Sequence, residues 1–284
     1  AFRYKINERN SFKGSYSLMR QYIHRVSSSS IALPTDLWYP VTRTVLPQRS
    51  DLLAAGFTHI IPRFNLSLSL EGYYKGMDNL IEYREGANLI LNDNFERELL
   101  NGTGRSYGIE LMLRKQSGRI SGWFSYTLSR STRLFDELNN GNEFPAKYDR
   151  RHVFNLVGMV DLNEKITFSA VWTYFSGARF TPQTGQFLMP NSSLTDVELV
   201  PIFGDRNSAL LAASHRLDIN FVIRNSPRKK FRSEWQIGAY NFYSRAAPFR
   251  VSIDSNGRTL QYEQEGLFGF IPSISYNFSF DSSK

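Results

Sequence analysis

The 284-residue chain has no cysteine, which excludes disulfide scaffolds, thiolate metal sites and thiol redox chemistry. It has no apolar run approaching the ~20 residues that cross a bilayer as a helix, so a helical membrane protein is excluded too. Histidines are few: His24, His59, His152 and His215 lie far apart, with no H-E-x-x-H and no pair at ligand spacing, so no protein-built metal site is expected. There is no Gly-Lys pair for a phosphate loop, and Gly102, Gly104 and Gly108 miss the G-x-G-x-x-G spacing of a dinucleotide site. No cofactor is therefore expected. The opening AFRYKINERN lacks the apolar core of a signal peptide and begins in mid-pattern, as a mature or truncated chain would.

What the chain does have is aromatic residues, 14% of the total with 15 Tyr and 22 Phe, as sheets and membrane interfaces favour. It also carries a formal charge of +8, densest in SPRKKFR (226 to 232). That cluster sits in a short turn between alternating segments, and the other cations are scattered among Asp and Glu. It reads as a solvated turn, and no nucleic-acid partner is expected.

The dominant pattern is strict alternation. Ile274, Tyr276, Phe278 and Phe280 interleave with Ser273, Ser275, Asn277 and Ser279, and Leu217, Ile219, Phe221 and Ile223 interleave with Arg216, Asp218, Asn220 and Arg224. A strand turns successive side chains to opposite faces, so each such segment has one greasy and one polar side. Period two predicts strands over 1 to 6, 11 to 22, 49 to 61, 64 to 76, 104 to 115, 120 to 131, 150 to 162, 166 to 176, 214 to 224, 231 to 243 and 266 to 280.

Two environments suit such ribbons: the core of a soluble antiparallel sheet and the lipid around a transmembrane barrel. The connections decide between them. NERN, IPR, QSGR, NEK and NSPRKK are short turns, and they alternate without exception with loops of roughly 18 to 37 residues. A soluble sandwich gives loop length no reason to obey parity, whereas an up-and-down barrel puts odd connections at one rim and even ones at the other. The fold class expected is all-β, a transmembrane antiparallel up-and-down β-barrel. About eleven strands are an odd number with two unpaired edges, so they are read as roughly half of a barrel of about 22 strands.

Several segments carry a resemblance: ALPTDLWYP (32 to 40), GYYKGMDNLIEYREG (72 to 86), GTGRSYGIELMLRK (102 to 115), GWFSYTLSRS (122 to 131), PAKYDRRHVFNL (145 to 156), SHRLDI (214 to 219) and GFIPSISYNFSF (269 to 280). In order and spacing the chain resembles the C-terminal barrel region of TonB-dependent outer-membrane receptors, especially those of the Bacteroidota. The resemblance implies a 22-stranded barrel plugged by an N-terminal globular domain, importing a scarce nutrient with energy passed from the inner membrane by TonB. Residues 1–284 would then be the C-terminal portion of the barrel, with the plug domain and remaining strands outside this sequence. The implied location is the bacterial outer membrane. The implied partners are its lipid and lipopolysaccharide, TonB through the N-terminal region, and a surface lipoprotein lid. Iron chelates, oligosaccharides and peptides all fit as cargo.

On this reading the barrel performs no chemistry and is not an enzyme. GRSYG (104 to 108) satisfies G-x-S-x-G, with Asp149 and His152 downstream, but IELMLRK continues with period two where a nucleophile elbow needs a helix. Polar Glu110, Arg114, Arg216 and Asp218 are expected to line the lumen. Candidate substrate contacts are Trp38, Tyr39, Tyr148, Asp149, Arg150, Arg216 and Asp218; the alternative for Tyr148, Asp149, Arg150 and Arg151 is an ion-paired loop-strand junction. Tyr22, Tyr73, Tyr74, Trp172, Tyr174, Tyr240, Phe242 and Tyr243 cluster at strand ends, as interfacial girdles do. A non-transporting scaffold barrel, or a barrel enzyme with catalytic residues on the outer rim, are the other functions this pattern allows.

Overall fold

A computed structural model of the chain describes residues 1–26, 37–84, 95–190, 197–225, 231–255 and 260–280. The wall consists of β1 (Phe2–Lys5), β2 (Asn10–Gln21), β3 (Gln48–Ile61), β4 (Leu66–Tyr83), β5 (Leu99–Lys115), β6 (Ile120–Leu134), β7 (His152–Asp161), β8 (Ile166–Phe175), β9 (Ser214–Arg224), β10 (Phe231–Tyr240) and β11 (Ile271–Phe280). Each strand pairs antiparallel with its neighbours in sequence, so the order across the sheet is the order along the chain. Phe144–Pro145 adds a two-residue bridge to the outer end of β6. β1 and β11 do not pair with each other, leaving two edges.

All eleven expected strands are present, and their short connections share one rim. Two of these turns close by the same device, an asparagine side chain accepting from two following amides: Asn7 from Arg9 and Asn10 at 2.9 and 2.8 Å, and Asn163 from Lys165 and Ile166 at 2.9 Å each. The tip of the basic turn, 226 to 230, lies outside the described residues.

Register sorts the side chains into two faces. Leu70, Leu111, Tyr126, Phe154 and Tyr174 stand side by side across β4 to β8, and the Tyr126 and Phe154 rings stack with centroids 4.4 Å apart. The adjacent row, Glu71, Glu110, Thr127 and Val153, points the other way. Glu110, Arg114, Arg216 and Asp218 all fall on this second, polar face.

The apolar face is uncovered. Ile274 is 68% exposed and Phe278 60%, and the other sheets are two-stranded hairpins from the long loops, none forming a second layer. Each such side chain left in water forgoes about 1.5–3 kcal/mol, so a few rows would exceed the ~5–15 kcal/mol stability of an ordinary domain. Hydrocarbon is the cover that fits, and no helix among the described residues is long and apolar enough to cross a membrane.

The structure corrects the sequence reading at three places. β4 runs on to Tyr83 instead of ending at 76, because a bulge between Met77 and Leu80, with Asn79 at φ 56°, interrupts period two without ending the strand. The last strand begins at Ile271 instead of 266: residues 266 and 267 belong to Leu260–Leu267, which pairs with Ala247–Ser255 in a loop hairpin, and the chain turns at Phe268, φ 56°. The proposed aromatic girdle also divides. Tyr74, Trp172 and Tyr174 are on the apolar face, but Tyr73 and Tyr240 are on the polar one, since Tyr73 and Tyr74 are consecutive and a strand cannot turn both outward.

Among the described residues, the clusters of buried hydrophobic side chains lie at the long-loop rim. There the extended β4–β5 hairpin packs Ile81, Tyr83 and Leu99 against Val45 and Tyr39, and Leu80 and Leu100 against Phe135, Leu138 and Phe144. Leu138 is fully buried.

The two faces differ in solvent, which a parity pair tests. Leu111→Arg, near the middle of the apolar band, should cost about 2–4 kcal/mol in reversible urea unfolding of the intact protein in lipid vesicles, and Met112→Arg, one residue on, well under that.

Candidate functional site

The loop 135 to 151 returns to the sheet through KYDRR and brings Tyr148, Asp149 and Arg150 against the polar face. With Ser106 of β5, Ser129 and Ser131 of β6, Val153 of β7 and Phe175 of β8 they line a pocket of about 420 Å³. The three serines fall in it by register, Ser106 opposite Ser131 and Gly108 opposite Ser129.

Asp149 is the fastener. It is 3% exposed; its carboxylate accepts from the Ser131 amide at 2.8 Å and from Arg179 Nη2 and Nε at 3.2 and 3.3 Å. Arg179 belongs to the next long loop, so this one carboxylate ties two loops to the end of β6. A second tie lies alongside, where Glu82 faces Arg133 at 3.7 Å and Arg206 at 3.3 Å. Asn207 Nδ2 donates to the Pro145 carbonyl at 2.9 Å.

Arg150 is placed differently. Its guanidinium lies over the Phe175 ring, 5.0 Å from the centroid, while its carbonyl accepts from the Ser129 hydroxyl at 3.3 Å. Burial alone pulls its pKa below the ordinary arginine value. Tyr148 is 53% exposed at the mouth, and its hydroxyl accepts from Arg25 Nη2 at 3.3 Å.

The remaining candidates lie elsewhere. Trp38 is exposed on the hairpin Ile23–Val26/Leu37–Pro40, where it pairs with Arg25; residues 32 to 36 of its motif fall outside the described residues. The hydroxyls of Thr44 and Tyr39 donate to Glu96, holding its carboxyl below the usual range and raising the Tyr39 phenol. Arg216 and Asp218 engage each other at 2.9 Å. Arg216 also lies 4.1 Å from the Tyr240 centroid and donates to its hydroxyl, and Asp218 accepts from the Asn241 amide at 2.8 Å. They brace the corner after β10 and do not enter the pocket.

The serine-hydrolase order is not assembled. Ser106 and Asp149 share the pocket, but His152 is on the apolar face, where Nδ1 meets the Tyr126 hydroxyl at 3.0 Å. His215 likewise meets the Tyr243 hydroxyl at 2.7 Å. His24 is different: it is fully buried in the outer hairpin, and among the described residues neither ring nitrogen has a partner in hydrogen-bond geometry. Burial lowers its pKa, and a polar contact with the Leu46 main chain offsets only part of that.

Sequence reasoning named Tyr148, Asp149 and Arg150 but missed the serines, Phe175 and Arg179. Parity puts Ser106, Ser129 and Ser131 on the polar face, a signal present in the sequence; the return of two loops onto them carries none.

No family model matches the chain, and no curated protein matches it. Solved structures do. The ferric-catecholate import receptor Fiu from E. coli K12 superposes over 98% of this chain and 34% of its own, with 15% identity and a TM-score of 0.59. The ferric citrate transporter FecA, unliganded, covers 97% of this chain and 36% of its own at 9% identity and TM-score 0.57. The ferric yersiniabactin uptake receptor FyuA from Yersinia pestis covers 97% and 35% at 12% identity and TM-score 0.57. The chain thus spans about a third of the length of these structures. The class defined is a fold: the antiparallel up-and-down wall of import-receptor β-barrels.

Two outcomes follow from the buried groups. Asp149→Ala leaves Arg179 without its carboxylate and should cost about 3 kcal/mol, seen as faster proteolysis in residues 176 to 213 of the intact protein. His24 is neutral when folded and takes up a proton near pH 6.5 when released, so its hairpin should be stable above that pH and weaken as pH falls below it. Proteolytic nicking within residues 22 to 47 should rise between about pH 7.5 and 5.5, and His24→Leu should abolish the rise.

Proposed function

We propose that residues 1–284 are the C-terminal part of the barrel of a TonB-dependent outer-membrane receptor, of the Bacteroidota type the sequence resembles, which takes up a nutrient from outside the cell. The observation that carries this is the eleven-strand ladder with a lipid-ready face, matched over nearly its whole length by the walls of ferric-chelate receptors.

In this mechanism the wall does no bond chemistry. Backbone ladders hold it rigid in lipid, the long loops meet the ligand outside, and the pocket at the outer end of the inner face gives it a first binding place. A plug domain moved by TonB opens the path; lipid and lipopolysaccharide surround the wall, and a surface lipoprotein lid is a further partner. The cargo is a ferric chelate, an oligosaccharide or a peptide, the first being what the superposed receptors are named for.

The test is genetic. Deleting the gene should abolish energised uptake of at least one labelled ferric chelate, oligosaccharide or peptide, and removing TonB should abolish the same uptake. A deletion strain that takes up all three classes as the parent does would favour the scaffold reading instead.

A further inference from the structure

We infer that the pocket between Arg150, Tyr148 and the serines Ser106, Ser129 and Ser131 binds an anionic group, a carboxylate or phosphate, carried by the imported ligand.

The inference starts from a contrast in charge pairing. Arg133, Arg179, Arg206, Arg216 and Arg224 each face a carboxylate within ion-pair distance. Arg150 faces none among the described residues, and no neighbouring charge contributes to its pKa shift. A half-buried guanidinium stays charged, and leaving one unpaired in a partly desolvated pocket is costly unless a partner arrives.

The nearest acid cannot be that partner. Asp149 lines the same pocket, but the Ser131 amide and Arg179 already occupy its carboxylate. Asp149 therefore shapes the wall without presenting a free negative charge, and Arg150 is the cation of the pocket lining that an entering anion meets.

The geometry suits a planar, bidentate ligand group. The Arg150 Cζ lies over the Phe175 ring, 5.0 Å from its centroid, a cation–π contact that restrains the fork. A guanidinium held over a ring still has N–H groups for acceptors, and these form the short charge-assisted bonds that carboxylates and phosphates accept in pairs. The hydroxyls of Ser106 and Ser131 lie within the same lining and can donate to the remaining oxygens. A volume of about 420 Å³ admits such a group with the part of the ligand that carries it. Because this wall is the inner face, membrane lipid does not reach it.

This rests on the inner face being a ligand path, and the tests separate the two claims. In the intact protein in detergent, binding of citrate and of inorganic phosphate is measured by calorimetry. Arg150→Met should weaken the tighter of the two at least about tenfold, whereas Arg84→Met, which removes an exposed pair with Glu137 outside the pocket, should stay within about twofold. Phenylglyoxal labelling of the unsubstituted protein needs no variant: Arg150 should react, and citrate or phosphate should protect it where chloride does not. An Arg150→Met protein that binds both anions unchanged, a parent that binds neither, or an Arg150 that is unreactive because another part of the protein already pairs it would each overturn the assignment. Any of these with normal uptake would sink the pocket and leave the transport reading standing.

Discussion

In hydrocarbon no water is present to satisfy a peptide group, and everything else in this structure follows from that. Each backbone N–H and C=O within the membrane has to be met by another strand, at a cost of several kcal/mol where it is not. A chain that obeys this by pairing only with its sequence neighbours becomes a meander, each strand answering the one before it, as β1 to β11 do. The alternation of short and long connections is then a consequence of direction: every upward strand must turn at the outer rim and every downward one at the inner. The edges of β1 and β11 each call for another strand for the same reason.

Two solvents divide the molecule. Along the wall, side chains such as Ile274 and Phe278 are left bare, which would be ruinous in water and is correct in lipid. At the long-loop rim ordinary protein rules return. Phe135, Leu138 and Phe144 bury themselves, and carboxylates find guanidiniums, Asp149 with Arg179 and Glu82 with Arg133 and Arg206. The hairpin that continues β4 and β5 past the membrane joins the two regimes, one sheet serving lipid below and a hydrophobic core above. The loops are thereby held against the wall, and the pocket exists because they are.

Likeness at 9 to 15% identity over nearly the whole chain has the same origin. A lipid-facing position asks only for apolarity and parity, so any Leu, Ile, Phe or Val serves and identity drifts while the ladder stays.

Strand number, strand direction and the sorting of Leu111 from Glu110 were legible in the residues, because period two depends on local geometry and solvent alone. Where local geometry broke, legibility ended: the bulge at Asn79 hid the outer third of β4, and consecutive Tyr73 and Tyr74 were given one role though they face opposite ways. The loop hairpins, the burial of His24, and the meeting of Ser106 with Asp149, Arg150 and Phe175 were decided only in three dimensions. By itself the sequence determined a membrane-spanning antiparallel ladder with a greasy face and a polar one. The tertiary structure decided which charges are paired and which is left open to the pocket, because pairing depends on how distant loops fold back, and no periodicity along a chain encodes that distance.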